Sequence, residues 1–348
     1  MKKHLLVFCL LLFCCGMFAD IEPLHFYVDT AETDWQEKLK ENIGKYSQVD
    51  TLMIWIDSNA IPDLPEHDFR DIRIFSSTKK DISLASLAKF KLENLTLSQG
   101  NYRDLNRINR SNLRVLKFHS AQTEISGLDF PALTFLALDV SEEMLDLRKI
   151  PHLSQLYIRD SEDRALTIIL SPETKLNVLD VYAAKVKNLK QLDLSGLEDL
   201  TVHGGINRLS ELNLPKLRVL RLSDGVTDWE LELPELPVLE RLSMFSPYAK
   251  ISLKTIQRNC PKLNYLGLSG KVIDWEVLPE LPLKNLHIGY GVGMMYELPV
   301  KAPEGCVVTG LPRFYENPYK MWKLWASIVG IFAFAVWVYH RQQKKEMR

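Results

Sequence analysis

LNVLDV at residues 176–181 and LEDLTV at residues 197–202 are two copies of one six-residue pattern, apolar-x-x-apolar-x-apolar. The pattern occurs twelve times, and its starts are 20 to 24 residues apart. Such regular recurrence predicts an array of similar structural units. A thirteenth, degenerate copy begins at Pro303 and places Cys306 and Val308 at the fourth and sixth positions. The twelve copies begin at Val49, Phe69, Leu92, Leu113, Leu133, Leu153, Leu176, Leu197, Leu217, Leu239, Leu263 and Leu283.

The repeated pattern resembles the strand segment of the leucine-rich-repeat family, L-x-x-L-x-L with a period in the twenties. The resemblance covers residues 49–309 and implies an α/β fold, a leucine-rich-repeat solenoid (horseshoe) of about 12 to 13 repeats. In that fold the strands form a parallel β-sheet on the concave face. Several copies carry a proline two residues before the first apolar position, where it closes a turn without removing a ladder hydrogen bond. These prolines are Pro131, Pro151, Pro215, Pro237 and Pro261.

The chain departs from the family just after each strand. An asparagine usually stands there and satisfies backbone groups at the bend. In this chain the position is held by Gly100, Ala121, Ser141, Ser161, Ala184, Gly205 and Gly225. We therefore expect an irregular solenoid. Copy eleven, with a predicted helix near Leu253 to Arg258 before Cys260, resembles the longer, cysteine-containing version of the repeat.

A single repeat is too small to fold alone. Three or four buried aliphatic side chains contribute roughly 1.5 to 3 kcal/mol each, whereas ordering ~20 backbone residues costs about 1 to 2 kcal/mol each. The repeats must therefore stack, and the ends of the stack need caps. We predict that residues 20–48 cap the N-terminal end with a strand near Leu24 to Val28 and an amphipathic helix. Trp35, Leu39 and Ile43 would share one face of that helix, and Thr33 and Gln36 would form a capping box.

The first residues predict an exported protein. Lys2 and Lys3 precede an apolar run from Leu5 to Phe13 that is too short to cross a bilayer, and small residues follow. Residues 1–19 therefore have the pattern of a secretory signal. Lipidation of Cys14 or Cys15 is the alternative, but the small residue that usually precedes such a cysteine is missing.

The last residues predict one C-terminal transmembrane helix, residues 321–339, after a juxtamembrane stalk, residues 310–320. The helix carries one charge, Lys323, and at ~1.5 Å per residue it spans roughly 28 Å, which matches a bilayer core. Aromatic residues lie near both ends, and the basic tail, residues 340–348, is expected in the cytoplasm. We therefore expect a single-pass membrane protein with an extracytoplasmic ectodomain, either periplasmic or extracellular. A buried core helix is the alternative, although a basic cluster seldom follows one.

Charge and cysteine content restrict the choice of partners. Residues 20–319 carry 35 basic and 43 acidic side chains, a formal net charge of −8. Phosphate would repel such a domain, so we expect no nucleic-acid partner. Only Cys260 and Cys306 lie outside the signal. With Cys306 at a core strand position, two strands or about 10 Å would separate them, so both are expected to be thiols.

The alternation of side chains along a strand predicts which residues face solvent. The first, fourth and sixth pattern positions point to the core, and the third, fifth and seventh point to the concave surface. In the middle copies these outward positions are polar or aromatic, and strands about 4.8 Å apart would join them into one patch. We predict that this patch binds a ligand, since Tyr and Arg are common at binding hot spots. Its members are Lys117, His119, Asp139, Tyr157, Arg159, Asp180, Tyr182, His203 and Arg221.

Other outward residues are ambiguous. A solvated strand surface also needs polar residues of both signs, so the predicted patch is compatible with a surface that binds nothing. Trp55 and Phe75 form an apolar corner near the N-terminal end, and they are as suited to packing under the cap as to binding. Phe245 and Tyr265 are equally open to both interpretations.

The sequence contains no recognisable catalytic motif. It has no nucleophile elbow, phosphate loop, dinucleotide fingerprint or metal-spaced Cys/His set. His119 and His203 are four copies apart, too far to share a metal ion, and Glu66-His67-Asp68 is interpreted as a solvated turn. We therefore expect no enzymatic activity, no metal and no small-molecule cofactor.

Three functional hypotheses follow. The first is a non-enzymatic, membrane-anchored recognition or scaffold protein that binds a protein partner through the concave face; it depends on analogy with the fold. The second is a structural spacer of an envelope or surface, whose contacts are lateral. The third is an enzyme with its site in irregular convex loops, which a compact cluster of titratable residues would support.

Overall fold

The computed structural model describes residues 25–310, apart from 59, 78–79, 123–124, 141, 161–164, 183–184, 204–208, 224–228, 231 and 290–297. The predicted signal, transmembrane helix and cytoplasmic tail lie outside the described residues, as does the stalk after residue 310. Within the described part, none of the helices combines the length and the apolar character that a bilayer crossing needs. The described residues form two compact units: unit 1 lies within residues 1–223 and 234–236, and unit 2 lies within residues 224–233 and 237–348.

Unit 1 is built mainly from short strands. Its α-helix is α1 (Trp35–Lys45), and 3₁₀ turns cover Ala85–Lys89, Leu105–Arg107, Leu189–Gln191 and Leu209–Glu211. The strands are β1 (Phe26–Asp29), β2 (Thr51–Ile56), β3 (Asp71–Ser76), β4 (Asp81–Ser83), β5 (Asn94–Arg103), β6 (Val115–Gln122), β7 (Phe135–Val140), β8 (Met144–Leu147), β9 (Gln155–Asp160), β10 (Ala165–Leu170), β11 (Val178–Tyr182), β12 (Lys185–Val186), β13 (Asp199–His203) and β14 (Val219–Ser223).

The main sheet of unit 1 is entirely parallel. Its described strands follow the order β1-β2-β3-β5-β6-β7-β9-β11-β13-β14, and β4 pairs with β5. Every strand from β2 onward in that order starts at the third position of a sequence copy. Residues at the first, fourth and sixth positions of the twelve copies are all buried, with at most 7% of their surface exposed. The predicted parallel sheet and the predicted core are therefore confirmed, and this sheet is consistent with a solenoid of stacked repeats.

A backbone hydrogen-bond ladder fixes the stacking where each strand begins. The carbonyl at the second pattern position of one repeat accepts two N–H groups of the next repeat. Glu198, for example, accepts from Arg218 N at 2.8 Å and from Val219 N at 3.0 Å. The same arrangement joins Ser154 to Asn177 and Val178. It satisfies the backbone at the bend before the strand with main-chain groups alone, so it places no demand on the side chain there.

A second, smaller parallel sheet has the order β12-β10-β8. The six-residue pattern did not predict it, although alternating apolar residues mark its strands, as in Leu166 and Ile168, which are buried. The Asn188 side chain extends this pairing: its Oδ1 accepts from Ile168 N at 3.0 Å, and its Nδ2 donates to Ile168 O at 2.6 Å. An asparagine thus bridges two repeats, but in this sheet rather than at the end of a main-sheet strand.

The N-terminal segment forms the predicted strand and helix, with a different helix start. Leu39 is buried in α1, and Trp35 and Ile43 are partly buried, as expected of one shared face. The predicted capping box is wrong, because α1 is capped by Asp34 and no side chain accepts a capping hydrogen bond. Asp34 instead forms an ion pair with Lys38 at 3.1 Å.

Unit 2 contains β15 (Trp229–Glu230), β16 (Arg241–Ser252), β17 (Tyr265–Ile273), β18 (Asn285–Ile288) and β19 (Val307–Thr309). β16 to β19 pair in sequence order, all in parallel, and β15 pairs with β16. The helix predicted in copy eleven is confirmed as α2 (Leu253–Asn259), which a 3₁₀ turn (Trp275–Glu280) follows after β17. Ser252 begins α2, because its hydroxyl accepts from Thr255 N at 3.2 Å.

The thirteenth copy is present, but its predicted register is wrong by two residues. Val308 pairs with Leu286, the fourth position of copy twelve, so Val308 holds the fourth position and not the sixth. Cys306 therefore precedes β19 and is partly exposed instead of lying in the core. Cys260 is buried, and both cysteines are free thiols, as predicted.

Candidate functional site

The outer face of the unit 1 sheet, the face opposite the core, carries side chains in three rows. The parallel register brings the third, fifth and seventh pattern positions of successive strands side by side. We call the nine predicted residues the central patch, and all of them lie on this face of β6, β7, β9, β11, β13 and β14. In the fifth-position row Asp180 pairs with Tyr157 on one side and with Thr201 on the other. In the seventh-position row Tyr182 pairs with Arg159 and with His203.

Exposure differs across the central patch. Tyr182 is the most open aromatic residue of the set, with 54% of its surface exposed. His119, Arg159 and Arg221 are also exposed, whereas Lys117, Asp139, Tyr157, Asp180 and His203 are partly buried. His119 and His203 are separated by three intervening strands, β7, β9 and β11, which confirms that they cannot share a metal ion.

Two aromatic rings and a lysine contact one another where β6, β7 and β9 carry the central patch. One of these residues, Phe135, was not predicted from the sequence as part of the patch. Phe135 stacks on Tyr157 with ring centroids 5.0 Å apart, and Lys117 Nζ lies 4.9 Å from the centroid of the Phe135 ring. Phe135 occupies the third position of copy five, so the outward periodicity identifies it. These contacts hold Lys117 and Tyr157 in place through ring stacking and a cation–π interaction.

Asp199 is a second residue that sequence reasoning missed, and it neutralises Arg221. Arg221 Nη1 donates to Asp199 Oδ1 at 2.8 Å and to Oδ2 at 3.0 Å, and it lies 3.3 Å from Thr201 Oγ1. Asp199 also stands at a third pattern position, so its outward position and its charge could have identified it as a member of the patch. Arg221, the cation that β14 contributes to the central patch, is thus already paired with Asp199.

Tyr182, His203 and Ser223 form a lateral chain along the seventh-position row. The Tyr182 and His203 rings are 4.7 Å apart and tilted by 45°, and Ser223 Oγ is hydrogen bonded to His203 Nδ1. A serine beside a histidine belongs to nucleophilic sites, but acyl transfer also needs N–H donors aimed at an oxyanion. Among the described strand residues beside His203, the backbone N–H groups form the ladder hydrogen bonds of the sheet. The contacts therefore orient His203.

Asp180 differs from Asp71 and Asp199 on this face because no described residue pairs with it. No described residue lies within hydrogen-bond or ion-pair distance of its carboxylate. Burial raises the pKa of Asp180, and nearby Asp199 raises it further, while His203, Arg221 and Arg159 lower it from a distance. Burial likewise raises the pKa of the adjacent Tyr157 phenol, and the charges of Asp180 and Asp199 add to that shift. The middle of the patch is therefore a partly buried carboxylate with no ion-pair partner among the described residues.

Removing this charge is expected to stabilise the protein. The folded-state pKa of Asp180 lies above the unfolded value of about 3.9, so the stability falls as pH rises from about 4 through the folded-state pKa. Asp180→Asn should therefore raise the melting temperature at pH 7 and leave it unchanged at pH 3, as measured by circular dichroism.

The matched control for this prediction is Asp146→Asn. Hydrogen bonds from Arg148 lower the pKa of Asp146 to about 2, so its charge stabilises the fold above pH 4 and loses this effect as pH falls towards 2. Asp146→Asn should lower the melting temperature at pH 7. Equal effects of both substitutions at pH 7 would contradict the assignment of Asp180 as unpaired.

The Glu66-His67-Asp68 segment, which the sequence analysis interpreted as a solvated turn, makes structural contacts through His67 and Asp68. His67 Nε2 lies 2.7 Å from Val49 O, its ring packs against Phe69 with centroids 4.6 Å apart, and Asp68 pairs with Arg70. Among the described residues, no group of three or more His, Cys, Asp or Glu side chains could hold a metal ion. Burial raises the pKa of the Cys260 thiol to about 12, so its reactive thiolate is scarce at neutral pH.

Two aromatic features near the ends of the units are exposed on the sheet surface. Trp55 and Phe75 stack with centroids 6.1 Å apart, and Trp55 keeps 39% of its surface exposed. In unit 2 Phe245 is also exposed and makes an edge contact with His287, and Tyr265 stacks under Arg241. Trp55 and Phe75 therefore pack against each other on the sheet surface, with Trp55 exposed and Phe75 partly buried.

Comparison of the chain with models of known protein families gave no match, and comparison with curated proteins gave none either.

Proposed function

We propose that this chain is a leucine-rich-repeat recognition protein that binds a protein partner on the central patch and is held to a membrane by residues 321–339. The observation that carries the proposal is the arrangement of Tyr157, Asp180 and Tyr182 with Arg159 on adjacent strands. Exposed or half-exposed aromatic and charged side chains stand there in register on a rigid sheet. A preordered surface loses little conformational freedom on binding.

Two further features support this assignment. The stacked repeats present one continuous sheet surface in unit 1, and solenoids of this kind use such surfaces for binding. Tyr and Arg side chains supply much of the binding energy in protein interfaces.

Crosslinking followed by capture from the native membrane tests the proposal. The test variant combines Tyr157→Ala, Arg159→Ala, Tyr182→Ala and Arg221→Ala. We expect it to lose partner recovery at least ~100-fold, since single hot-spot truncations cost about 2 kcal/mol or more. A control variant combines Arg107→Ala, Lys149→Ala and Lys216→Ala, all exposed outside the strands, and should keep the partner.

Lateral scaffolding is the alternative function. It predicts equal partner recovery by the wild type and the patch variant, with a loss in the control variant if those exposed loops carry the contacts. Such a result would remove the central patch from the function.

A further inference from the structure

The negative charge of Asp180 does not stabilise the fold of the free protein. The other acids near it are neutralised: Asp199 binds Arg221, and farther along the same face Asp71 binds Arg73 Nη2 at 2.9 Å. Asp180 has no such partner among the described residues, and the strands on both sides partly desolvate it. Desolvating an unpaired carboxylate is unfavourable, so this position is not explained by the stability of the fold.

The groups around Asp180 form a small subsite with aromatic borders. Tyr157 stands beside it in the same row, and stacking on Phe135 holds its ring. Tyr182, two residues along β11, is exposed and rests against His203. Thr201 of β13, the neighbour of Asp180 in the same row, is buried. Its short side chain therefore forms the base of a depression between Tyr157 and the Asp199–Arg221 ion pair. We call Tyr157, Asp180, Tyr182 and Thr201 the Asp180 subsite.

The chemistry of this subsite selects a cation. An unpaired carboxylate attracts a hydrogen-bond donor with positive charge, and the faces of tyrosine rings attract cations as well. Residues 20–319 also carry a net charge of −8, which would steer a basic segment towards the protein. Arg221 does not fill the subsite because Asp199 and Thr201 hold its guanidinium. Arg159 acts on Asp180 only from a distance.

We infer that the Asp180 subsite binds a lysine or arginine side chain of the protein partner, with Asp180 as the counter-charge and Tyr157 and Tyr182 as the aromatic borders. This inference depends on the proposed function and specifies the partner chemistry at the same surface. The carboxylate accepts hydrogen bonds from the ammonium or guanidinium group. Binding thereby removes the free-energy penalty of an unpaired, partly desolvated charge. The bound cation thereby replaces the missing partner of Asp180.

The test uses the full-length protein in detergent and compares Asp180→Asn with Asp71→Asn. Both variants remove one negative charge from the same face, but Asp71 is already paired. Asp180→Asn is expected to weaken partner capture about 10- to 100-fold, as for loss of one charge-assisted pair, and Asp71→Asn is expected to leave it unchanged. A second measurement selects peptides from a random hexapeptide display library. Wild-type protein should enrich peptides with Lys or Arg, and Asp180→Asn should not.

Each other outcome overturns the inference in a recognisable way. If Asp180→Asn captures the partner normally while the quadruple alanine variant does not, the proposed function stands and the cation subsite falls. If both variants capture it normally, the central patch and the subsite fall together. Equal losses for Asp180→Asn and Asp71→Asn would show a general charge effect. Library peptides of the same composition for wild type and Asp180→Asn would likewise exclude selection of a cation.

Discussion

Leu179→Ala is expected to lower the free energy of unfolding by about 2 to 5 kcal/mol. Leu179 is fully buried in β11, and the register places it between Leu156 and Leu200 of the neighbouring strands. The cavity cannot close easily, because both neighbours are themselves fixed in the same stacked row. Urea denaturation followed by circular dichroism measures the change.

Val178→Ala is the matched control for this prediction. Val178 precedes Leu179 in the same strand and lies on the outer face, where it is partly exposed. Its truncation should cost less than about 1 kcal/mol, the range of strand propensity differences. If Val178→Ala cost as much as Leu179→Ala, the side-chain alternation described for β11 would be wrong.

Gly270→Ala is expected to destabilise unit 2 by roughly 3 kcal/mol or more, because backbone strain and a steric clash act together. Gly270 has φ +142°, a conformation that side chains rarely adopt. A Cβ there would lie 2.5 Å from Ser246 O and 2.7 Å from Ala249 O, both of them backbone atoms of the β16 bulge. Hydrogen exchange of β16 and β17 amides, compared with wild type, measures the effect within this unit.

Gly44→Ala makes the same chemical change with the opposite expected sign. Gly44 lies inside α1, and no heavy atom is within 4 Å of the position that its Cβ would take. Alanine should stabilise this helix by about 0.5 to 1 kcal/mol, since it loses less backbone freedom than glycine. If Gly270→Ala left the amide exchange rates of β16 and β17 unchanged, the prediction for Gly270 would be wrong, because the bulge would then rearrange at little cost in free energy.

The position of each outward residue could be predicted from the sequence, but its partner could not. Tyr157, Asp180 and Tyr182 stand where strand alternation places them, because that alternation follows from local backbone geometry. Which acid meets which base depends on rotamers and on competition between neighbouring strands. Asp180 and Asp199 are alike in sequence, yet Asp199 alone reaches Arg221.

The errors arose where a local pattern was misleading or where the structure departs from the six-residue repeat. At the thirteenth copy, Cys306 and Val308 fitted the apolar pattern, but hydrogen bonding to β18 sets the register two residues away. At the start of α1, Thr33 and Gln36 matched a capping box, yet the helix begins after Asp34. The short strands of the second sheet were missed because they lie outside the six-residue pattern.

The sequence alone determined the repeat, the parallel strands and the buried rows, because a pattern repeated twelve times fixes both strand alternation and stacking period. Only the tertiary structure decided which charges on the outer face are paired. The strand register sets which side chains are neighbours, but hydrogen-bond distance is reached only through particular side-chain conformations. Among the described residues Asp180 is left without a partner for that reason, and no pattern in the sequence indicates it.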